Sequence, residues 1–513
     1  MIDIIKQSIL YKTGAYLSKM WEQSRIKKYF ASEGGKVAAN SRTYHFFCFA
    51  LNALHGFSMR FGDRVNSVVE ESSLVSDSLA LGRRAAAYFK ASFLCRLIER
   101  ISEVEFNFSD LRLYHITTFL LVAAAPMVPT MVCAGIAVIT LLLYLLDMIR
   151  RKEALYSPGT VGFWVVLLIV IFGFFAFFSL TPKSSIRIWI LYSAFMLFIF
   201  PLIKTALSAD RLCKIASIMT FSGLLVSLLG IYQRFFGDNF GHAWLDKEMF
   251  ESITVRVYST LENPNVLGEY LLLAMPVCAA LLCTRRTWLS RFYYSGILIT
   301  MAVCMIFTQS RGCWLGLILS AAVFALFVDP RLVVLEILAL FALPFVMPES
   351  IITRFTSIGN VNDSSTSYRL FIWLGTLNML RDFGIYGIGL GSDAYNKIYP
   401  FYSYSAIKAP HAHNIYLQLL CETGITGLAA FLATIWAALK KTLIAVVESE
   451  KTFTGVFASA VFAGLLGFLL QGAFDYVWYN YRVFLIFWSV VALGVSAGSL
   501  IGKSKEDALC RQQ

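Results

Sequence analysis

Charged residues are scarce in this chain, 15% of its 513 residues against 58% that are hydrophobic. That balance excludes an ordinary water-soluble globule, in which about a quarter of residues are charged. Paired cysteines are missing too. The ten cysteines show no CxxC or close paired spacing, so neither a disulfide framework nor a cysteine metal site is expected. The opening stretch, "MIDIIKQSILYKTGAYLSKM", has only short apolar runs broken by lysines. It does not read as a cleavable signal peptide, so the first apolar span is expected to direct insertion. The strict apolar-polar alternation of a membrane β-barrel is also lacking.

Continuous apolar runs are abundant instead, and the mean hydropathy is +0.67. Runs of about 17 to 25 apolar residues are each long enough to cross roughly 30 Å of hydrocarbon as a helix. Hydropathy and punctuation place twelve, at 112–128, 130–148, 160–180, 186–206, 213–236, 264–284, 291–309, 312–328, 331–347, 413–438, 453–474 and 481–501. The expected fold is an all-α polytopic membrane protein, with a transmembrane domain over 111–502. The loops "RRKEALYSPG", "KTALSADRLCK", "TRRTWLSR", "DPR" and "KKTLIAVVESEK" fall on one side with both termini and hold most of the loop Lys and Arg. The positive-inside bias makes that side the cytoplasm and accounts for the net charge of +12 without nucleic acid.

Residues 1–110 are more polar. The stretch "SLALGRRAAAYFKASFLCRLIERI" has apolar residues at helical spacing, as in a helix lying on the membrane surface or in a small cytoplasmic helical domain. Residues 503–513 read as a cytoplasmic tail. Across the membrane the connections are short except for 237–263 and one large extracytoplasmic loop, 348–412. A loop of that length among tightly joined helices is unusual and usually functional. "SYRLFIWLGTLNML" inside it carries a helix-like apolar stripe, so short helices are expected there.

On this topology Arg256, Arg311, Arg369, His411 and His413 all map to the external face. Arginine outside runs against the usual bias, and an anionic ligand explains it most simply, because guanidinium never deprotonates and matches phosphate oxygens bidentately. The competing explanation for any one arginine is contact with lipid headgroups or pairing with Glu251, Glu262 or Glu269. In "HAHNIYLQLLCETGITGL", helical spacing would set His413, Tyr416, Leu420, Gly424 and Gly427 on one face and Glu422 opposite, as a packing partner. The two glycines would let a helix or lipid chain approach below the histidine. A neutral imidazole among arginines suits a general base for a hydroxyl. His411 is the other candidate base, but it precedes the helix and is held less rigidly. The His-x-His pair also invites a metal, which no Asp, Cys or third His nearby in sequence supports. Neither a metal nor a cofactor is expected. Gly387, Gly389 and Gly391 have no strand before them and read as a turn ending at an N-cap, Ser392, not as a dinucleotide site. "FDYVWYNYR" reads as an interfacial aromatic belt, with sugar stacking the lesser alternative.

Four segments together, "ENPNVLGEYLLLAMP", "TQSRGCWLG", "STSYRLFIWLGTLNMLRDFGIYGIGLGSDAY" and "HAHNIYLQLLCETGITGL", resemble in order the motifs of the O-antigen ligase and polymerase superfamily. The resemblance covers roughly 213–440. Its most specific element is His413, Asn414, nine residues, then Gly424 and Gly427. It implies a metal-independent glycosyltransferase of the GT-C type, using a polyprenyl-diphosphate-linked glycan such as an undecaprenyl diphosphate donor. The acceptor would be a glycan or lipid hydroxyl at the outer face of the bacterial plasma membrane, in cell-envelope polysaccharide biosynthesis. Carried over by motif, Arg311 and Arg369 would bind the diphosphate, with Arg256 as an addition, and His413 would activate the acceptor. The long N-terminal region departs from the family pattern. The alternative from another class is a lipid-linked oligosaccharide flippase, which would need charge accessible from both faces and often shows internal repeats.

Overall fold

The computed structural model describes residues 84, 87–105, 111–153, 159–237, 256–346, 348–359, 364–449 and 452–510. Among them all regular structure is helical, because a segment inside hydrocarbon must satisfy its backbone internally. A short amphipathic helix α1 (Phe93–Ser102) and an apolar helix α2 (Leu113–Ala124) lead into α3 (Thr130–Arg151) and α4 (Thr160–Phe177). There follow α5 (Pro182–Leu197), continued by α6 (Ile199–Ala206), then α7 (Ala209–Phe236), α8 (Pro264–Thr284), α9 (Trp288–Thr308) and α10 (Arg311–Val328). Next come α11 (Arg331–Val346) and the loop helices α12 (Glu349–Thr356), α13 (Ser364–Phe383) and α14 (Ser392–Ile398). The chain closes with α15 (Ile415–Glu448), α16 (Phe453–Gly472) and α17 (Tyr481–Cys510).

Ten of these, counting α5 with α6 as one span, are long and apolar enough to cross a membrane. The chain is an all-α polytopic membrane protein. The two further spans anticipated at 112–128 and 331–347 form helices of 12 and 16 residues. At about 1.5 Å per residue they reach only about 18 and 24 Å, less than the roughly 30 Å of hydrocarbon, although α11 still carries the chain from the end of α10 back toward its start, where Ser357 meets Arg311. Proline limits both, with Pro126 and Pro129 after α2 and Pro348 after α11.

The chain divides into two compact units, Met1–Arg84 with Leu145–Leu155, and Ala85–Tyr144 with Tyr156–Gln513. The described part of the first is Arg84 and the last turns of α3, where Arg151 pairs with Asp147 at 3.0 Å. Everything below concerns the second unit. The rest of the N-terminal region, 1–83, 85–86 and 106–110, and the end of the tail, 511–513, lie outside the described residues.

Within the second unit α8 and α17 form the axis, since 83% of each apolar window is buried against 28–67% elsewhere. Glycine lets α10 and α16 close on this axis. A Cβ on Gly316 would stand 2.6 Å from the Gly467 carbonyl oxygen, so the two backbones touch where any side chain would hold them apart. That contact brings the first residue of α10, Arg311, beside the end of α16. At the opposite end of α9, the Glu103 carboxylate after α1 accepts hydrogen bonds from Arg286 N (3.0 Å) and Thr287 N (2.7 Å). The basic junctions α8–α9, α10–α11 and α15–α16 share that end by helix alternation. The segments 256–263, 309–310, 348–359, 364–414 and 473–480 gather at the other.

Inside α15 the helix opens at Gly424, which has φ 59° and ψ −171°. Ile388 N and Gly389 N donate to the carbonyls of Cys421 (2.8 Å) and Glu422 (3.0 Å) there, and Ile425 N donates to Gly384 O (2.9 Å). The long loop is therefore bonded into a break in a membrane helix, and the freed backbone groups are satisfied. Gly424 and Gly427 do not line a groove for a lipid chain, as helical spacing had implied. A Cβ at Gly424 would run into the Ile385 carbonyl, and its backbone region is open essentially only to glycine. Gly424→Ala should cost about 1–3 kcal/mol, seen as a lower melting temperature in detergent. An unchanged melt would show that the break does not need glycine.

Candidate active site

The sequence put His413 on a helix, but α15 starts two residues later. Asn414 is its N-cap, Oδ1 accepting from Tyr416 N (2.9 Å) and Leu417 N (3.0 Å), while Nδ2 donates to Ala473 O (2.9 Å). Asn414 is thus a clamp between the start of α15 and the loop after α16. The helical face shared by His413 and the glycines does not exist. His413 instead has a left-handed backbone, φ 45°, a conformation that persists in a non-glycine residue only where its surroundings enforce it. Trp373 Nε1 donates to its carbonyl at 3.3 Å.

What holds the imidazole is Asp475. Its Oδ1 lies 2.9 Å from His413 Nδ1 and also accepts from Tyr476 N at 2.9 Å. Its Oδ2 accepts from Asn265 Nδ2 at 2.9 Å and lies 3.6 Å from Arg369 Nη2. Burial alone would raise this carboxyl, but His413, then Arg369 and His411, outweigh it and hold Asp475 well below the usual carboxylate range. An ionised Asp475 is an acceptor only, so His413 carries a proton on Nδ1, and the neutral tautomer of that pairing has its lone pair on Nε2. The sequence reading passed over Asp475 as part of an aromatic belt. The signal was an acidic residue at a span end, 62 positions from its histidine.

His411 is not the looser histidine of the pair. It is 5% exposed, its Nδ1 accepts from His413 N at 3.2 Å, and Tyr476 and Tyr479 flank its ring at centroid distances of 5.5 and 4.8 Å. Burial first, then His413, lowers its pKa from 6.5 to about 3. The folded protein thus keeps His411 neutral while the unfolded chain binds a proton as pH falls from about 6.5 toward 3. Its contribution to stability is full above that window and is lost on acidification through it. Asp475, also depressed, adds a loss of the same sign at lower pH. The melting temperature should fall as pH drops through 6 and 5, and His411→Asn should flatten that fall. An equal fall in the variant would remove His411 from the account.

The arginines converge beside this pair. Arg256 donates from Nε to Thr308 O and from Nη2 to Asn265 Oδ1, both at 3.0 Å. Arg311 donates from Nη1 to Ser357 Oγ (2.9 Å) and Ser357 O (3.1 Å). Arg369, one-quarter exposed, stands 3.5 Å from Ser365 Oγ. These three and Arg354 line one polar cavity of about 60 Å³, room for several waters. Burial, then Arg354, Arg369 and Arg311, draws the Arg256 guanidinium down to about 9, the direction expected where like charges crowd. Arg354 was missed in the sequence, although the argument applied to Arg256, Arg311 and Arg369 covers it. Of the acids named as competing partners, Glu262 pairs with Arg482 at 3.2 Å and Glu269 accepts from Gln471 at 3.4 Å. Glu251 lies outside the described residues.

Glu422 does pack away from His413. Its Oε1 accepts from Gly391 N (3.0 Å) and Gln418 Nε2 (2.8 Å), and Gln418 Oε1 accepts from Ala412 N (2.7 Å). The glycines 387, 389 and 391 all have positive φ, and Gly391, not Ser392, occupies the cap of α14.

His411, His413 and Asp475 each bring one donor atom within 4.8 Å of the others, close enough to hold a metal ion. His411 Nδ1 and both Asp475 oxygens already accept hydrogen bonds, and the neighbouring guanidiniums repel a further cation.

Residues 296–432 match the protein-family model described as O-Antigen ligase. Over that segment the chain is similar to the O-antigen ligase and polymerase superfamily, which the match supports. In this superfamily the expected role is cell-surface polysaccharide biosynthesis, by a ligase or polymerase acting on glycans. The matched O-antigen ligase segment runs from α9 into α15 and contains Arg311, Arg354, Arg369, His411, His413, Asn414, Gly424 and Gly427. Arg256, Asn265 and Asp475 lie outside it and join the site through the fold. No curated protein matched the chain.

Proposed function

We propose that the chain transfers or polymerises a glycan from a polyprenyl diphosphate donor onto a hydroxyl acceptor, as a metal-independent inverting glycosyltransferase of the GT-C type. One observation carries this reading: four guanidiniums line a cavity next to a His413–Asp475 pair. The site lies at the end of the bundle away from the basic junctions, which supports an outer-face site in a bacterial plasma membrane. In the proposed step His413 Nε2 takes the acceptor hydroxyl proton as the oxygen bonds to the anomeric carbon. The carbon–oxygen bond to the diphosphate breaks on the opposite side, and the electron pair leaves with the diphosphate. Arginine charge stabilises that leaving group where other enzymes use a divalent ion. Direct displacement inverts the anomeric centre.

The test is transfer by purified protein from a defined lipid-diphosphate glycan, with candidate acceptors, in the presence and absence of a chelator. Transfer undiminished by the chelator is expected. Chain growth would assign a polymerase and single addition a ligase, whereas loss of transfer with chelator would overturn the metal-free step.

A further inference from the structure

Two glutamines share the polar cavity with the four arginines. Gln309 caps the end of α9 and Gln471 lies in the last turn of α16. They are 4% and 2% exposed, and among the described residues neither Oε1 has a hydrogen-bond partner. The Gln471 amide is oriented from behind. Its Nε2 donates to Glu269 Oε1 on α8 at 3.4 Å, so the carbonyl and not the NH2 is left for the cavity. That carbonyl lies over Gly312, the residue after Arg311, where a Cβ would run into it. Gln309 has a left-handed backbone, φ 53°, at a helix end where glycine or asparagine is usual.

A buried carbonyl without a donor bears the full cost of its lost hydration. An ionised diphosphate cannot supply that donor, since its oxygens only accept. Water fits the cavity while it is free of ligand, but phosphates drawn in by guanidinium would displace it and set their oxygens against both carbonyls. The donors must then come from the rest of the same ligand. On a glycosyl diphosphate the nearest is the substituent on the ring carbon beside the anomeric carbon, because the ring oxygen on the other flank only accepts. We infer that Gln309 and Gln471 select the first sugar of the glycan donor by accepting hydrogen bonds from a hydroxyl or acylamino N–H on that carbon. Glu269 is the positioning residue that sets the Gln471 amide. The inference rests on the donor reading above and adds which sugars the site admits. The arrangement is discriminating because a site built to bond a substrate O–H or N–H rejects the analogue lacking it, leaving its own buried groups unpaired.

The experiment measures binding of short-chain prenyl diphosphates to the full chain in detergent by titration calorimetry. One ligand carries no sugar. The others carry a hexose with a 2-hydroxyl, a 2-acetamido group or a 2-fluorine, which is close to a hydroxyl in size and donates nothing. The tighter of the hydroxyl and acetamido forms should bind about tenfold better than the fluoro form, the equivalent of about 1.4 kcal/mol. In Gln309→Met and in Gln471→Met, each checked by its melting curve, that ratio should fall toward one. Glu269→Gln, which frees the amide to turn, should lower it as well, and an unchanged ratio there would remove Glu269 from the account. Equal affinity of the parent for all three sugars, or a tenfold ratio kept by the folded glutamine variants, would overturn the sugar subsite and leave the diphosphate site standing. If no prenyl diphosphate bound at all, both would fall. No transfer is read, so a chain that discriminates among these ligands but transfers no glycan would sink the transferase reading alone.

Discussion

His413→Ala should lower glycan transfer by about 10²–10⁴-fold, the range contributed by a positioned general base. The variant should still insert, because α15 is capped independently by Asn414, but it should melt somewhat below the parent, since the His413 ring packs on His411 and Tyr368 and its Nδ1 bonds the buried Asp475 carboxylate. Asp475→Asn should come close to the same loss by a different route. An amide opposite Nδ1 can donate as well as accept, so the tautomer that leaves Nε2 free is no longer enforced. It also removes the carboxylate 3.6 Å from Arg369, leaving a partly buried guanidinium without that charge. The measurement is initial rate with saturating donor and acceptor, alongside a melting curve for each variant. Parent-like transfer by His413→Ala would end its assignment as base, and if His411→Ala were then inactive the base would be His411.

Arg311→Ala should reduce transfer by about 10²–10³-fold, as when one preorganised charge-stabilising donor is removed from a site. Arg311 is held at the first turn of α10 by Ser357 and by the close contact of Gly316 with Gly467, so its position is set before any ligand arrives. Arg311→Lys should not restore the rate, since a single ammonium cannot present the planar fork that a diphosphate and Ser357 share. Arg369→Ala should fall in the same direction and should also disturb the Asp475–His413 pair beside it. The useful comparison is kcat against KM for the donor. A loss confined to donor KM would mean that Arg311 binds ground and transition states alike, and an unaltered rate in both respects would remove it from the site.

The chemistry of individual residues was legible in the sequence wherever it depended on composition and short spacing. Ten of the twelve anticipated spans are helices long and apolar enough to cross a membrane, because hydrocarbon burial and backbone satisfaction act on each segment alone. Arginines on the face opposite the basic loops stood out against the positive-inside bias for the same reason. The failures were local as well as distant. The helix expected over His413 is absent because Asn414 competes for the first amides of α15 and caps it, a turn effect that apolar periodicity does not register. The groove expected at Gly424 and Gly427 failed because glycine there admits a break in the helix, into which residues 388 and 389 bond.

By itself, then, the sequence determined a polytopic helical bundle, the end on which its unusual charges lie, and the residue types from which a site is built. Only the tertiary structure decided the partners. Asp475 meets His413 from 62 residues away and is itself bonded by Asn265, 210 residues before it, and Arg354 joins three other arginines around one cavity. Such pairings follow from how α8, α10, α15 and α16 pack, and that packing is set by small residues in contact and by backbone groups seeking acceptors across the bundle, interactions with no fixed spacing along the chain.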